Sequence, residues 1–141
     1  MSAELSTFLL LTITGLGLGA MYFLIASGLS LIYGLMGVLN FAHGFFLTVG
    51  AYGTWWMENH LGAIGSVTPD RGTSLLIFAF IVVVIGGLGS IAGSAAAALI
   101  VGLAQQYANY YASSGLGDIT VVLLLGLVLL VRPRGLSGAF A

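Results

Sequence analysis

Charged residues are missing from three long stretches of the chain, because no Asp, Glu, Lys or Arg occurs within residues 5–57, 72–117 or 119–131. A membrane-spanning helix needs about 20 residues, at about 1.5 Å per residue, to cross a hydrocarbon core of about 30 Å. The first two stretches therefore have room for two passes each, and the third for one short pass. The pattern predicts helical segments near residues 5–33, 41–57, 75–88, 91–111 and 119–131.

The third and fifth predicted segments are shorter than a comfortable span. Either they cross a locally thinned bilayer, or the third is a half-span that turns at GGLGS and continues into the fourth. Runs such as FAFIVVVI lack the alternation of polar and apolar positions that a membrane strand requires. The predicted fold class is therefore an all-α integral membrane protein, with about five transmembrane or half-transmembrane helices and a glycine-rich helix break.

Composition supports a membrane protein and argues against other classes. The 141 residues are 60% hydrophobic and 5% charged, whereas roughly 25% of the residues in a soluble domain are charged. With three Lys and Arg residues the chain lacks the basic surface that binds a phosphate backbone, so we expect membrane lipid and no nucleic acid as a partner. No cysteine is present, which excludes thiolate chemistry. Glu4, in place of a basic leader, predicts a retained first segment rather than a cleaved signal peptide.

Polarity divides the chain into three expected parts. Residues 1–60 are predicted to form an N-terminal transmembrane helix pair that contains the motif NFAHG. Residues 61–74 form a polar connecting loop, and residues 75–141 contain the C-terminal transmembrane helices, the GGLGS turn and a basic tail. Arg132 and Arg134 directly follow a hydrophobic run, so the positive-inside rule predicts a cytoplasmic tail.

Small residues recur at spacings that favour helix contacts. In lipid, helices associate where glycine and alanine let their backbones approach closely. The positions predicted to pack in this way are Gly15, Gly19, Gly93 and Ala97. A second group, at GGLGS, predicts a helix break whose freed backbone groups are buried in protein or line a wet cavity. The break residues are Gly86, Gly87, Gly89 and Ser90.

The motif NFAHG places polar side chains inside an otherwise apolar region, and two interpretations stay open. In the first, Asn40 caps the helix that begins near Phe41. In the second, the motif lies beside a helix break and faces a substrate path formed by Asn40, Phe41, His43 and Gly44. An isolated histidine is a poor metal site. Because no catalytic set can be assembled from the spans, we expect neither a metal nor an enzyme.

Three ordered segments resemble one known family. They are LSLIYGLMGVLNFAHGFFLTVGAY at residues 29–52, VTPDRGTSLLIFAFIVVVIGGLGSIAG at residues 67–93 and DITVVLLLGLVLLVRPRGLSG at residues 118–138. They are similar to the membrane permeases of ABC-type importers for branched-chain amino acids, a family that also includes urea and short-chain amide permeases. The resemblance implies a multi-pass protein of the bacterial plasma (inner) membrane that translocates its substrate and catalyses no reaction.

The same resemblance implies partners. Such permeases work as a pair of membrane subunits with cytoplasmic ATPase subunits and an external substrate-binding protein that delivers Leu, Ile or Val. ATP is then bound by the ATPases, and this chain needs no cofactor. In the family, the match at NFAHG implies a role in translocation, and the match at GGLGS implies a turn.

The chain also departs from the family, whose members are about twice as long. The match jumps between residues 61 and 67, past several spans and the charged cytoplasmic loop that docks into the ATPase. We therefore expect a shortened permease that cannot couple ATP hydrolysis to transport by itself. We also expect the small-residue faces at Gly15, Gly19 and Ala97 to lack partner helices. The alternative is a small helical membrane protein that oligomerises through these faces and has a structural or pore role.

Overall fold

The computed structural model describes residues 3–61, 70–112 and 115–137, and every regular element in these ranges is a helix. The helices are α1 (Ala3–Met36), α2 (Ala42–Leu61), α3 (Asp70–Gly86), α4 (Ile91–Tyr111) and α5 (Leu116–Val131). The predicted all-α class and its five helical segments are confirmed.

The polar connecting loop is shorter than the sequence pattern indicated. Residue 61 belongs to α2 and residues 70–74 belong to α3, so helix replaces loop at both ends of the expected 61–74 segment. The remaining part of that loop, residues 62–69, lies outside the described residues. Asp70 and Arg71 fall in the first turn of α3.

Among the described residues, two helices are long and apolar enough to cross a membrane alone. They are Glu4–Met36, with a mean hydropathy of 2.1, and Ile91–Tyr111, with a mean hydropathy of 1.3. The apolar parts of α3 and α5 are shorter, at Ser74–Gly86 and Leu116–Val131. Large apolar side chains also cover the outside, among them Leu24 and Leu130 with 71% and 86% exposure. An outer surface of this kind suits lipid, which makes the chain an integral membrane protein.

The core lies where α1, α3, α4 and α5 meet. Its fully buried members include Ala26, Val82, Val83, Val101 and Val121. Helix α1 runs antiparallel to α4, because Phe8 near the start of α1 packs against Tyr107 near the end of α4, and Gly34 lies against Gly89. The expected division at residues 61–74 therefore falls, in sequence, between α1 and α4, which pack against each other along their length.

Helix α2 lies at the edge of the bundle. It packs antiparallel on α3, since Phe41 faces Phe80 with ring centroids 6.2 Å apart and Gly44 is in contact with Leu76. Its later residues, such as Tyr52 and Trp56, are exposed. Aromatic side chains of this kind are typical of the membrane–water interface.

The backbones of α1 and α4 touch through glycine. A Cβ placed on Gly102 would lie 2.5 Å from the backbone N of Gly19 and 2.7 Å from the carbonyl O of Gly15. The expectation that the faces at Gly15, Gly19 and Ala97 lack partner helices is wrong, because α4 covers both glycines and Ala97 is fully buried. The sequence pattern did not single out Gly102, although its four-residue spacing from Ala98 was a usable signal.

Candidate functional site

Asn40 caps the start of α2. Helix α1 ends where Gly37 N donates to Tyr33 O at 2.8 Å, and the chain turns back through residues 37–41. The Asn40 side-chain Oδ1 then accepts a hydrogen bond from Ala42 N at 3.0 Å, while its backbone O accepts from His43 N at 3.2 Å. Two of the N–H groups that a helix start leaves without an intrahelical partner are satisfied in this way.

The other NFAHG residues face different neighbours. The His43 ring lies against α1, where a Cβ added to Gly28 would meet its Cε1 at 3.0 Å and its Nε2 at 3.3 Å. Gly44 is buried against Leu76 of α3, and Phe41 is 65% exposed beside Phe80. The motif NFAHG therefore positions the start of α2 through contacts with both α1 and α3.

Replacing Asn40 with alanine removes the side-chain acceptor from the start of α2, and we expect a loss of about 1 kcal/mol in stability. Asn40→Asp is the matched control, because a carboxylate accepts the same hydrogen bond from Ala42 N. Detergent-induced unfolding of the two variants and the parent measures the difference. An equal loss of stability in Asn40→Ala and Asn40→Asp would contradict the stabilising role of the side-chain acceptor.

The predicted break between α3 and α4 is present. Helix α3 ends at Gly86, and residues 87–90, here called the break, include Gly87 with φ +100°. Ser90 then caps α4, its Oγ accepting from Gly93 N at 3.0 Å. Gly86 and Gly93 are in backbone contact, so the two helices cross with no side chain between them. A residue other than glycine at position 87 would be strained in this conformation.

Residues 132–137, here called the docked segment, return from α5 to the break. Leu136 N donates to Ile85 O at 2.8 Å, and Ser137 N donates to Gly86 O at 3.0 Å. These carbonyls belong to the last turn of α3, which has no intrahelical donors for them. The fold thus joins the basic RPR sequence, which contains the exposed Arg132 and Arg134, to the GGLGS motif. The contact between these two motifs was not predicted from the sequence.

A chain of hydrogen bonds, buried at Tyr22 and Gln105 and ending at the exposed Asp118, links three helices. Tyr22 OH of α1 donates to Gln105 Oε1 of α4 at 2.6 Å, and Gln105 Nε2 donates to Asp118 Oδ1 of α5 at 2.8 Å. Ser30 and Ser94 are joined nearby, with their Oγ atoms 2.7 Å apart. This network was not predicted from the sequence, although Gln105 lies four residues beyond Val101 on the buried face of α4.

These contacts orient and hold helices, and they form no metal cluster. Within residues 3–61, 70–112 and 115–137, no group of three or more His, Cys, Asp or Glu side chains could hold a metal ion. The arrangement that remains is a bundle of apolar helices with a capped helix start, a break at a helix turn and a polar network. In a membrane protein, irregular backbone of this kind has to be surrounded by protein or line a water-filled cavity.

A comparison with protein families identifies the bundle. The family model described as "Branched-chain amino acid transport system / permease component" matches residues 11–65 and residues 60–132. The chain belongs to this family. The matched residues contain NFAHG, GGLGS and the polar network, whereas the docked segment lies beyond residue 132 except for its first residue.

Individual relatives carry the same description. The chain is 39% identical over 74 residues to the high-affinity branched-chain amino acid transport system permease protein LivH of Escherichia coli (strain K12). It is 41% identical over 49 residues to the corresponding protein BraD of Pseudomonas aeruginosa. The first match covers 52% of this chain and 24% of LivH, so the chain aligns with about a quarter of that relative. No solved structure matches the chain significantly.

The two family matches meet between α2 and α3. One ends at residue 65 and the other begins at residue 60, which is next to the end of α2 at Leu61. The residues around this junction, 62–69, lie outside the described part of the structure. On either side of it, the permease-component sequence folds into helices that pack together.

Proposed function

We propose that the chain is a transmembrane permease subunit of an ABC importer that translocates branched-chain amino acids (Leu, Ile or Val) or a related small substrate. The observation that supports this most strongly is the pair of family matches, which together extend from residue 11 to residue 132. The apolar outer surface and the names of the relatives support it further. The proposed location is the bacterial plasma (inner) membrane, with several passes.

The proposed partners follow from this role. They are a second permease subunit, cytoplasmic ATPase subunits and an external substrate-binding protein. In this proposal the ATPases bind the ATP, the chain holds no cofactor, and it moves a substrate without changing it chemically. Arg132 and Arg134 then mark the cytoplasmic side, in agreement with the positive-inside rule.

We propose further that the chain needs another permease subunit for coupling to ATP. Its first and second family matches overlap at residues 60–65, while its alignment to LivH spans 24% of that protein. This supports a chain in which two family regions are joined directly, without the intervening spans and the loop that contacts the ATPase. ATP-driven transport requires an element that transmits the closing of the ATPase to the membrane gate.

Within this proposal, the start of α2 borders the substrate path through Asn40, Phe41, His43 and Gly44. His43 is half-buried against Gly28, so its ring joins α2 to α1. We expect His43→Ala, introduced at the equivalent position of a full-length relative, to lower leucine uptake at least about tenfold. The control is the position equivalent to Gly50 on the same helix, as Gly50→Ala, because an added Cβ there meets nothing within 4 Å. Unchanged leucine uptake with His43→Ala would show that the motif NFAHG does not border the substrate path.

Uptake of labelled leucine tests the proposed function. A strain without its own permeases of this family receives the ATPases, the binding protein and either this chain alone, this chain with a second permease subunit, or two full-length permease subunits. We expect uptake in the second and third arms and background counts in the first. Failure of the second arm while the third works would contradict the proposal and favour a purely structural role.

That structural alternative has less support from the fold. It requires helix faces rich in small residues to contact other copies of the chain. Gly15, Gly19, Gly93 and Ala97 are instead buried inside the bundle, against α4, α3 and the core. These four positions are therefore not available for oligomerisation.

A further inference from the structure

The docked segment is attached to the end of α3 and to the break by three hydrogen bonds. Two backbone hydrogen bonds join Leu136 N to Ile85 O and Ser137 N to Gly86 O, at 2.8 and 3.0 Å. Ser90 Oγ, which caps α4, also donates to Ser137 Oγ at 3.0 Å. The segment therefore contacts the last turn of α3 and the cap of α4 at once.

Glycine makes this contact possible. Gly135 is buried with φ +78°, and a Cβ placed on it would lie 2.6 Å from the N and Cα of Gly87 and 2.9 Å from Val84 O. A Cβ on Gly93 would lie 2.8 Å from the Cβ of Ser137. Neither Gly135 nor Gly93 leaves room for a Cβ, so a side chain at residue 135 displaces the docked segment from the break.

We propose that the docked segment is a clasp that holds the α3–α4 break closed, and that its release lets the end of α3 move relative to α4. The carbonyls of Ile85 and Gly86 need donors at a helix end packed inside the bundle. While docked, the segment donates hydrogen bonds to these carbonyls and connects the break to α5. Once it is released, these carbonyls lose their partners and the last turn of α3 frays.

The clasp also connects the break to the outer surface. Arg132 and Arg134 are exposed at the start of the segment, and the Arg132 guanidinium donates a hydrogen bond within it, from Nη1 to Leu136 O at 3.5 Å. A partner that binds these two arginine side chains and displaces them also shifts the backbone N–H groups of Leu136 and Ser137. Contact at the surface and the geometry of the break are thereby linked through one short stretch of backbone. This inference does not depend on the transported substrate.

Disulfide formation tests the docking step, because the chain contains no cysteine of its own. Ser90→Cys with Ser137→Cys places two thiols where the hydroxyl oxygens are 3.0 Å apart. Ser30→Cys with Ser94→Cys is the matched control, because those oxygens are 2.7 Å apart at the α1–α4 contact. We expect Gly135→Ala to slow the first crosslink by about fivefold or more, and to leave the second unchanged.

Amide hydrogen exchange tests the closing step on the same proteins. We expect the 90–137 disulfide to slow exchange in residues 84–90 by about tenfold, and Gly135→Ala to accelerate it, because exchange reports local opening. The 30–94 disulfide leaves exchange in those residues unchanged. The proposal is overturned if Gly135→Ala crosslinks at the parent rate, or if the 90–137 disulfide does not alter exchange at the break. The exchange measurement compares the oxidised and reduced forms of the same Ser90→Cys, Ser137→Cys protein, so it decides the matter even where Gly135→Ala folds poorly.

Discussion

Replacing Gly102 with valine lowers the stability of the bundle by about 3 kcal/mol, because the contact between α1 and α4 has no space for a side chain. The atoms nearest to an added Cβ are the backbone N and Cα of Gly19, at 2.5 and 2.6 Å, and the carbonyl O of Gly15 at 2.7 Å. Backbone atoms cannot rotate away as the end of a flexible side chain can. The two helices must therefore separate, and close packing is the main attraction between helices in lipid.

A single thiol measures this effect. Ala26→Cys places a cysteine at a core position with 0% exposure, and its labelling by a maleimide during an SDS titration reports unfolding. The control is Gly126→Val on α5, where an added Cβ meets nothing within 4 Å. We expect the control to change the free energy of unfolding by at most about 0.5 kcal/mol. Equal losses in the two variants would contradict the close backbone contact.

Replacing Gln105 with leucine costs about 2 kcal/mol, because the buried Tyr22 hydroxyl loses its acceptor and Asp118 loses a donor. Tyr22 and Gln105 are 2% and 5% exposed, so bulk water does not readily take the place of the missing partner. The neighbouring Gln106→Leu is the matched control, since Gln106 takes no part in this chain of hydrogen bonds. The control removes an equivalent amide and is expected to cost much less.

A double-mutant cycle separates the hydrogen bond from packing. Tyr22→Phe removes the donor and keeps the ring, which packs against Phe78 with centroids 5.9 Å apart. We expect the double variant Tyr22→Phe, Gln105→Leu to cost about 1 kcal/mol less than the sum of the single variants, because neither group is then buried without its partner. Strict additivity would show that the contact at 2.6 Å contributes nothing to stability.

Much of the fold could be predicted from the positions of charged residues. A charged side chain is costly inside a bilayer, so Glu58, Asp118 and Arg132 fall near helix ends and mark the limits of the spans. The same reasoning placed the start of α3 too late, because it assigned Asp70 and Arg71 to a loop. The break at GGLGS was predictable since consecutive glycines weaken a helix locally.

The contacts between helices could not be predicted in the same way. The periodicity of a single helix indicates which face is buried but not which helix covers it. The bond between Tyr22 and Gln105 joins residues 83 positions apart, and that between Ser90 and Ser137 joins residues 47 apart. Polar residues in NFAHG were recognisable from sequence, whereas the contact of the His43 ring with Gly28 depends on the path of the chain after α1.

The claim on which this account depends is that the chain is a permease subunit that reaches the ATPases through another permease subunit. Co-purification tests it most directly: the tagged chain is extracted in mild detergent from cells that contain the ATPases, with and without the second subunit. We predict that the ATPases accompany the chain only when the second subunit is present. ATPases that accompany the chain alone, or that are absent in both cases while a full-length relative retains them, would contradict the claim.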